Sequence, residues 1–153
     1  MTLETDIKQN KPFKSELEKA IVNIIYTNNY LCDRQFKLLK KHGITLQQYN
    51  VLRILKGHYP EPITINGIID RMLDKMSNAS RLVDKLVQKK LVVRKSKKED
   101  RRACDVFISK KGEEFVATLN DEMDMLNKKL INMKEEELKE LNRLLDVLRD
   151  TEE

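Results

Sequence analysis

The 153-residue chain is 36% charged, with only 4 Gly and 3 Pro, and its two cysteines, Cys32 and Cys104, stand far apart. That length fits one domain with helical extensions; the cysteine spacing matches no metal or disulfide framework, and no apolar stretch approaches the ~20 residues a bilayer-spanning helix needs. The net charge of +5 is unevenly spread: residues 1–70 carry 10 basic and 7 acidic groups, residues 71–112 carry 14 and 5, and residues 113–153 carry 6 and 13, so a polyanion is drawn to the middle of the chain and repelled by its end.

Met1 to Lys14 is polar with mixed charge and lacks an apolar signal core, so the first 12 or so residues are expected to be a loose terminus of a protein in a reducing cytoplasm. From Phe13 to about His42, Leu17, Ile24, Leu31 and Leu38 recur every seven residues with Ala20, Ile21 and Leu39 beside them, which predicts a long amphipathic helix stopped at Gly43. Thr45-Leu46-Gln47-Gln48 reads as a capping box, with Ile44 and Tyr49 as a hydrophobic staple, for a helix that turns Tyr49, Leu52 and Leu55 inward. Gly57 and Pro60-Glu61-Pro62 end it and leave Ile63 in a short strand. Thr64 then caps a helix expected to bury Ile68, Ile69 and Met72.

Asp74 is expected to cap the following helix, which runs to about Lys89. Ala79, Leu82, Val83 and Leu86 share one face of it, Ser77, Arg81 and Gln88 point the other way, and Asn78, Ser80 and Lys85 flank that outer face. Its first half therefore offers small polar groups and an arginine to a major groove. Asp84 lies on the same exposed side and is expected to pair with Arg81 or Gln88 within the helix. Next come two β-rich segments, Leu91-Val92-Val93-Arg94 and Val106-Phe107-Ile108-Ser109, around a basic tip. In that tip Lys97, Lys98, Arg101 and Arg102 suit phosphates and a narrow minor groove, and Asp100 is placed to brace Arg102. The alternation with Val106 and Ile108 puts Cys104 on the core side of its strand, which argues against a redox role.

A helix-turn-helix followed by a cationic hairpin predicts a winged helix-turn-helix DNA-binding domain over residues 44–112. Beyond Gly112, Phe115, Leu119, Met123, Leu126, Leu130 and Met133 step by three and four, and Asn132 to Glu135 opens a last helix with Leu138, Leu141, Leu145 and Leu148 on one face. Such stripes exceed what a small winged core can cover, so residues 13–42 and 113–150 are assigned to a helical homodimerisation region. The fold class is mainly α with a small β-hairpin wing. His42 and His58 are isolated and there is no phosphate-cradling glycine loop, so neither catalysis, cofactor nor metal is expected.

Ser80-Arg81-Leu82-Val83-Asp84-Lys85-Leu86, Leu91-Val92, and Asp100-Arg101-Arg102 leading to Val106, Ile108, Ser109 and Gly112 together resemble the MarR family of bacterial winged-helix transcriptional regulators. The resemblance covers nearly the whole chain. It implies an obligate homodimer on an inverted-repeat operator in double-stranded DNA, a recognition helix at residues 75–89, a wing at 95–103 with Arg102 in the minor groove, and a ligand-responsive cleft. That cleft would be lined around Tyr26, Tyr30, Arg34, Tyr49 and Arg53 and would suit a small anionic aromatic effector. Family members often carry Gly where Lys90 and Leu73 stand here, so the turns on either side of the recognition helix are expected to differ in shape. The implied function is a repressor released by a small molecule; the alternative is a protein-interaction module that keeps the fold without operator recognition.

Overall fold

The computed structural model describes residues 2–96 and 104–150. In chain order the elements are α1 (Leu3–Asp6), α2 (Glu16–Lys41), α3 (Leu46–His58), β1 (Ile63–Thr64), α4 (Ile65–Arg71), α5 (Ala79–Gln88), β2 (Val92–Ser96), β3 (Cys104–Ile108), α6 (Lys110–Leu130) and α7 (Glu135–Arg149). The chain divides into two compact units, residues 1–119 and 120–153, with α6 passing from one to the other.

In the first unit β3 is the central strand of an antiparallel sheet ordered β1-β3-β2. Ile63 pairs with Val106, while Val92, Arg94 and Ser96 pair with Ile108, Val106 and Cys104. The strict alternation of β3 buries Cys104, Val106 and Ile108 on one face. Against that core lie Val51, Leu52 and Leu55 of α3, Ile68 of α4, Val83 and Leu86 of α5, and Val116 and Leu119 of α6, all essentially inaccessible to solvent. Gly112 is required where α6 begins, because a Cβ there would come within 2.1 Å of the Leu91 carbonyl oxygen.

Local signals set most of the boundaries. Ser15 Oγ accepts from the Glu18 N–H, so α2 starts at Glu16, three residues later than the apolar pattern alone places it. The capping box at Thr45 forms, with Thr45 Oγ1 accepting from the Gln48 N–H and the Gln48 side chain accepting from the Thr45 N–H at 3.0 Å. Thr64 caps α4 through the Gly67 N–H.

Two helices end in the same motif with different residues. After α2, Gly43 takes φ +70° and the Gly43 and Ile44 N–H groups bond back to the Lys40 and Leu39 carbonyls. After α5, Lys90 takes φ +60° and the Lys90 and Leu91 N–H groups bond to the Val87 and Leu86 carbonyls. The left-handed turn therefore forms without glycine, at a steric cost of roughly 1–2 kcal/mol that burial of Leu86 and Leu91 offsets.

Several expectations are corrected. The terminus is not loose throughout: α1 is a helical turn that buries Leu3, with Glu4 paired to Lys19 of α2 at 2.6 Å. Ile68 and Met72 are buried, but Ile69 is exposed, since a seven-residue helix packed on one side hides only one row. In the second unit Glu137 reaches back to the Lys134 N–H at 2.7 Å, so Lys134 rather than Asn132 stands at the start of α7. Leu141, Leu144, Val147 and Leu148 of α7 are exposed.

Candidate nucleic-acid interface

The approach to α5 is a turn held by its own side chains. Asp74, expected as the helix cap, instead closes that turn: its Oδ1 accepts from the Met76 N–H at 3.0 Å and its Oδ2 from the Ser77 hydroxyl at 2.7 Å. These bonds, Ser77's first and the Met76 N–H second, hold the Asp74 carboxyl below its ordinary pKa. The cap is Asn78, whose Oδ1 accepts from the Arg81 N–H at 3.0 Å, so α5 begins at Ala79. Asparagine is the stronger candidate because the turn leaves it in extended backbone geometry one residue before the first buried position. Lys75 Nζ donates to the Asp70 carbonyl at 2.6 Å, tying the same turn to the end of α4. The Leu73 N–H donates to Asn50 of α3 at 3.0 Å, so the turn closes without a glycine at this position.

Along α5, Ala79, Val83 and Leu86 are buried and Leu82 is half-buried, which turns the opposite side to solvent. Asn78, Arg81 and Lys85 are exposed there, with Ser77 and Ser80 half-buried beside them. Among the described residues neither the Arg81 guanidinium nor the Lys85 ammonium has an ion-pair partner, so both cations are available to an incoming anion. Ser77 and Asn78 of the expected contact set already hold internal bonds, and a contact from either would be made with the turn geometry those bonds impose.

Asp84 does not pair within α5 as expected. Its Oδ1 accepts from Arg94 Nη1 of β2 at 2.7 Å, and Arg94 Nε also donates to Cys104 Sγ of β3 at 3.1 Å. These bonds, that to Cys104 first and that to Asp84 second, raise the Arg94 pKa above its already high ordinary value. Sequence reading passed over Arg94. The signal was the strand alternation, which puts Arg94 on the same face as Val92, where a charge needs a partner. Lys97, Lys98, Asp100, Arg101 and Arg102 lie outside the described residues.

Of the residues assigned to an effector cleft, Tyr26 and Tyr30 come together. They line a cavity of about 490 Å³ between α1 and α2, with Leu3, Lys19 and Asn23. The Arg34 guanidinium stacks on the Tyr30 ring at 4.0 Å. Tyr49 and Arg53 form a separate pair on α3, with the guanidinium 5.9 Å from the ring centroid, and do not line this cavity. Among the described residues no helix is long and apolar enough to cross a membrane, and no three His, Cys, Asp or Glu side chains gather as a metal site.

A three-stranded sheet, a helix-turn-helix, and a capped helix with a cationic outer face define a winged helix-turn-helix protein. Within that class, residues 42–103 match the model of the MarR family. It is 34% identical over 89 residues to the HTH-type transcriptional regulator MhqR of Bacillus subtilis, a match covering 58% of each chain. It is also 31% identical over 101 residues to the HTH-type transcriptional repressor MdtR of the same organism, covering 65% of this chain and 64% of that one. The matches thus span less than two thirds of either relative. Among solved structures, a MarR transcription factor from Planctomyces limnophilus superposes with a TM-score of 0.69 at 27% identity, covering 89% of this chain and 99% of that one. MepR of Staphylococcus aureus in complex with DNA shares the fold with a TM-score of 0.71 at 22% identity, covering 92% of this chain and all of the other.

Proposed function

We propose that the protein is a homodimeric, sequence-specific DNA-binding transcriptional repressor acting in the cytoplasm. The observation that carries this reading is the outer face of α5, where Arg81 and Lys85 stand free beside Ser80 on a helix whose other face is buried. That set suits base edges and phosphates of a major groove, and it lies in the segment of strongest positive charge. The relatives named as transcriptional regulators, and the MepR–DNA complex with the same fold, support it. Residues 44–112 form the DNA-binding domain in this reading. Residues 13–42 and 113–150 form the dimerisation region, which the exposed Leu17, Ile21 and Ile25 of α2 and Leu144 and Val147 of α7 support.

A two-fold dimer calls for an inverted repeat with half-sites about 10 bp apart. A gel shift with duplexes from the DNA flanking the chain's own gene tests the proposal. A specific complex at moderate salt, competed by itself and not by random duplex, is the expected result; binding equal for every sequence would sink it.

The effector in this reading is a small anionic aromatic seated near Tyr26 and Tyr30. A panel of aromatic acids should raise the melting temperature and weaken the specific complex. If none does either, the effector assignment falls.

A further inference from the structure

Beyond the residues that would touch DNA, we infer that Arg94 is a positioning residue, joining the β2–β3 hairpin to α5 and setting the hairpin's angle to the face that carries Ser80 and Arg81. The inference rests on the DNA-binding reading above. Arg94 lies opposite Val106 in the β-ladder and on the same face as buried Val92, so its stem starts on the inner side of the edge strand and its head group emerges at the gap beside α5. There one planar group bonds in two directions, to Asp84 of α5 at 2.7 Å and to the Cys104 sulfur of β3 at 3.1 Å. Three elements meet at a single guanidinium. A lysine ammonium on a flexible stem lacks the fixed fork that makes both contacts directional.

Asp84 follows Ser80 and Arg81 by four and three residues, so all three occupy one side of α5 and move together. The Asp84 and Arg94 side chains are 55% and 36% exposed, and an ion pair that open contributes little to stability. What the pair does supply is a directional link between a helix and a strand, which apolar packing, being non-directional, does not provide. The clamp also accounts for a carboxylate on a helix side that faces phosphate. Uncompensated, that charge would oppose DNA binding; held by Arg94, it is neutralised and used.

Three variants test the assignment: Asp84→Asn, Arg94→Gln, and the exchange of Asp84→Arg with Arg94→Asp. Circular dichroism and sedimentation would first confirm that each keeps its fold and assembly. The probe is the own-gene flanking duplex, measured against a random duplex of equal length. Asp84→Asn removes a negative charge, so simple electrostatics makes it bind all DNA more tightly. The clamp instead requires it to lose specific affinity by on the order of tenfold while random-duplex binding stays level or rises. Arg94→Gln should lower the specific-to-random ratio likewise, and the exchange should recover part of it.

Tighter binding of Asp84→Asn to every duplex would overturn the inference, and so would an equal loss on both duplexes in Arg94→Gln, which would make Arg94 a phosphate contact. Amide hydrogen exchange separates this idea from the one it rests on. The β2 amides should exchange several-fold faster in Asp84→Asn and Arg94→Gln, with α3 unchanged, whether or not DNA is bound. If they do so in a protein that binds no duplex specifically, the DNA-binding reading fails and the link between α5 and β2 stands. Unchanged exchange together with an unchanged ratio in a chain that does bind specifically would overturn the clamp alone.

Discussion

Helices α5 and α2 both carry apolar stripes of helical period, and the two stripes meet different fates. In α5, Ala79, Val83 and Leu86 are all buried within ten residues. In the 26-residue α2 only Leu39, near its end, is fully buried, while Leu17 is 68% and Ile25 56% exposed. Periodicity thus says that a face should be covered and is silent on what covers it. For α5 the cover comes from α3, α4 and the strand β2. For the first half of α2 the proposed cover is a second copy of the chain.

The largest effect should come from the covered stripe. Leu86→Ala opens a cavity in a fully buried position and should cost about 2–5 kcal/mol, read as a fall in the denaturation midpoint. A cost under about 1 kcal/mol would mean that this core collapses around the loss and that the contrast between the helices is weaker than their burial suggests.

Next is the uncovered stripe. Ile21→Glu adds a charge to an exposed position, so in an isolated chain it should change stability by no more than about 0.5 kcal/mol. In the proposed dimer it should instead lower the melting temperature and shift sedimentation from dimer to monomer. A chain that sediments as a folded monomer before any substitution breaks the comparison, because the exposed stripe would then have no partner to lose.

The outer face of α5 sharpens the contrast, since its polar side is the one proposed to meet a partner. Arg81→Ala should cost about 1–3 kcal/mol of specific DNA binding and relax discrimination at one base, leaving the melting temperature in place. A loss that is uniform over all sequences would reassign Arg81 to a phosphate.

The smallest effect concerns how α2 and α5 end. Lys90→Gly relieves a left-handed backbone that Gly43 accepts freely, and should stabilise the protein by about 1 kcal/mol after the entropy lost to glycine. No gain, or a loss, in thermal unfolding would show that Lys90 sits there without strain.

Much of this was legible in the residues, because the deciding interactions are local. Thr45 with Gln48, Thr64, the Gly43 stop and the alternation of Cys104, Val106 and Ile108 each act within a few positions, and each formed as read. The choice between Asp74 and Asn78 as cap was harder. Both are good caps by type, and Asp74 is taken up by the turn it closes while Asn78 stands in extended geometry just before Ala79. The exposed side of α5, with Arg81 and Lys85, followed from the 100° step.

The sequence by itself determined the order of elements from α2 onward, the winged helix-turn-helix class and the cationic middle of the chain, since period, capping and charge are properties of neighbours along the backbone. Tertiary structure decided what pairs across elements. Asp84 had two plausible partners one turn away on its own helix and took neither, because the turn at Lys90 between α5 and β2 returns Arg94 to within 2.7 Å of it, with Cys104 of the next strand on the same guanidinium. Tyr26 and Tyr30 likewise come to face a cavity with Leu3 only because α1 folds back on α2, and Tyr49 and Arg53 form a pair apart on α3. Chain reversals bring those groups together, and no spacing along one helix or strand encodes them.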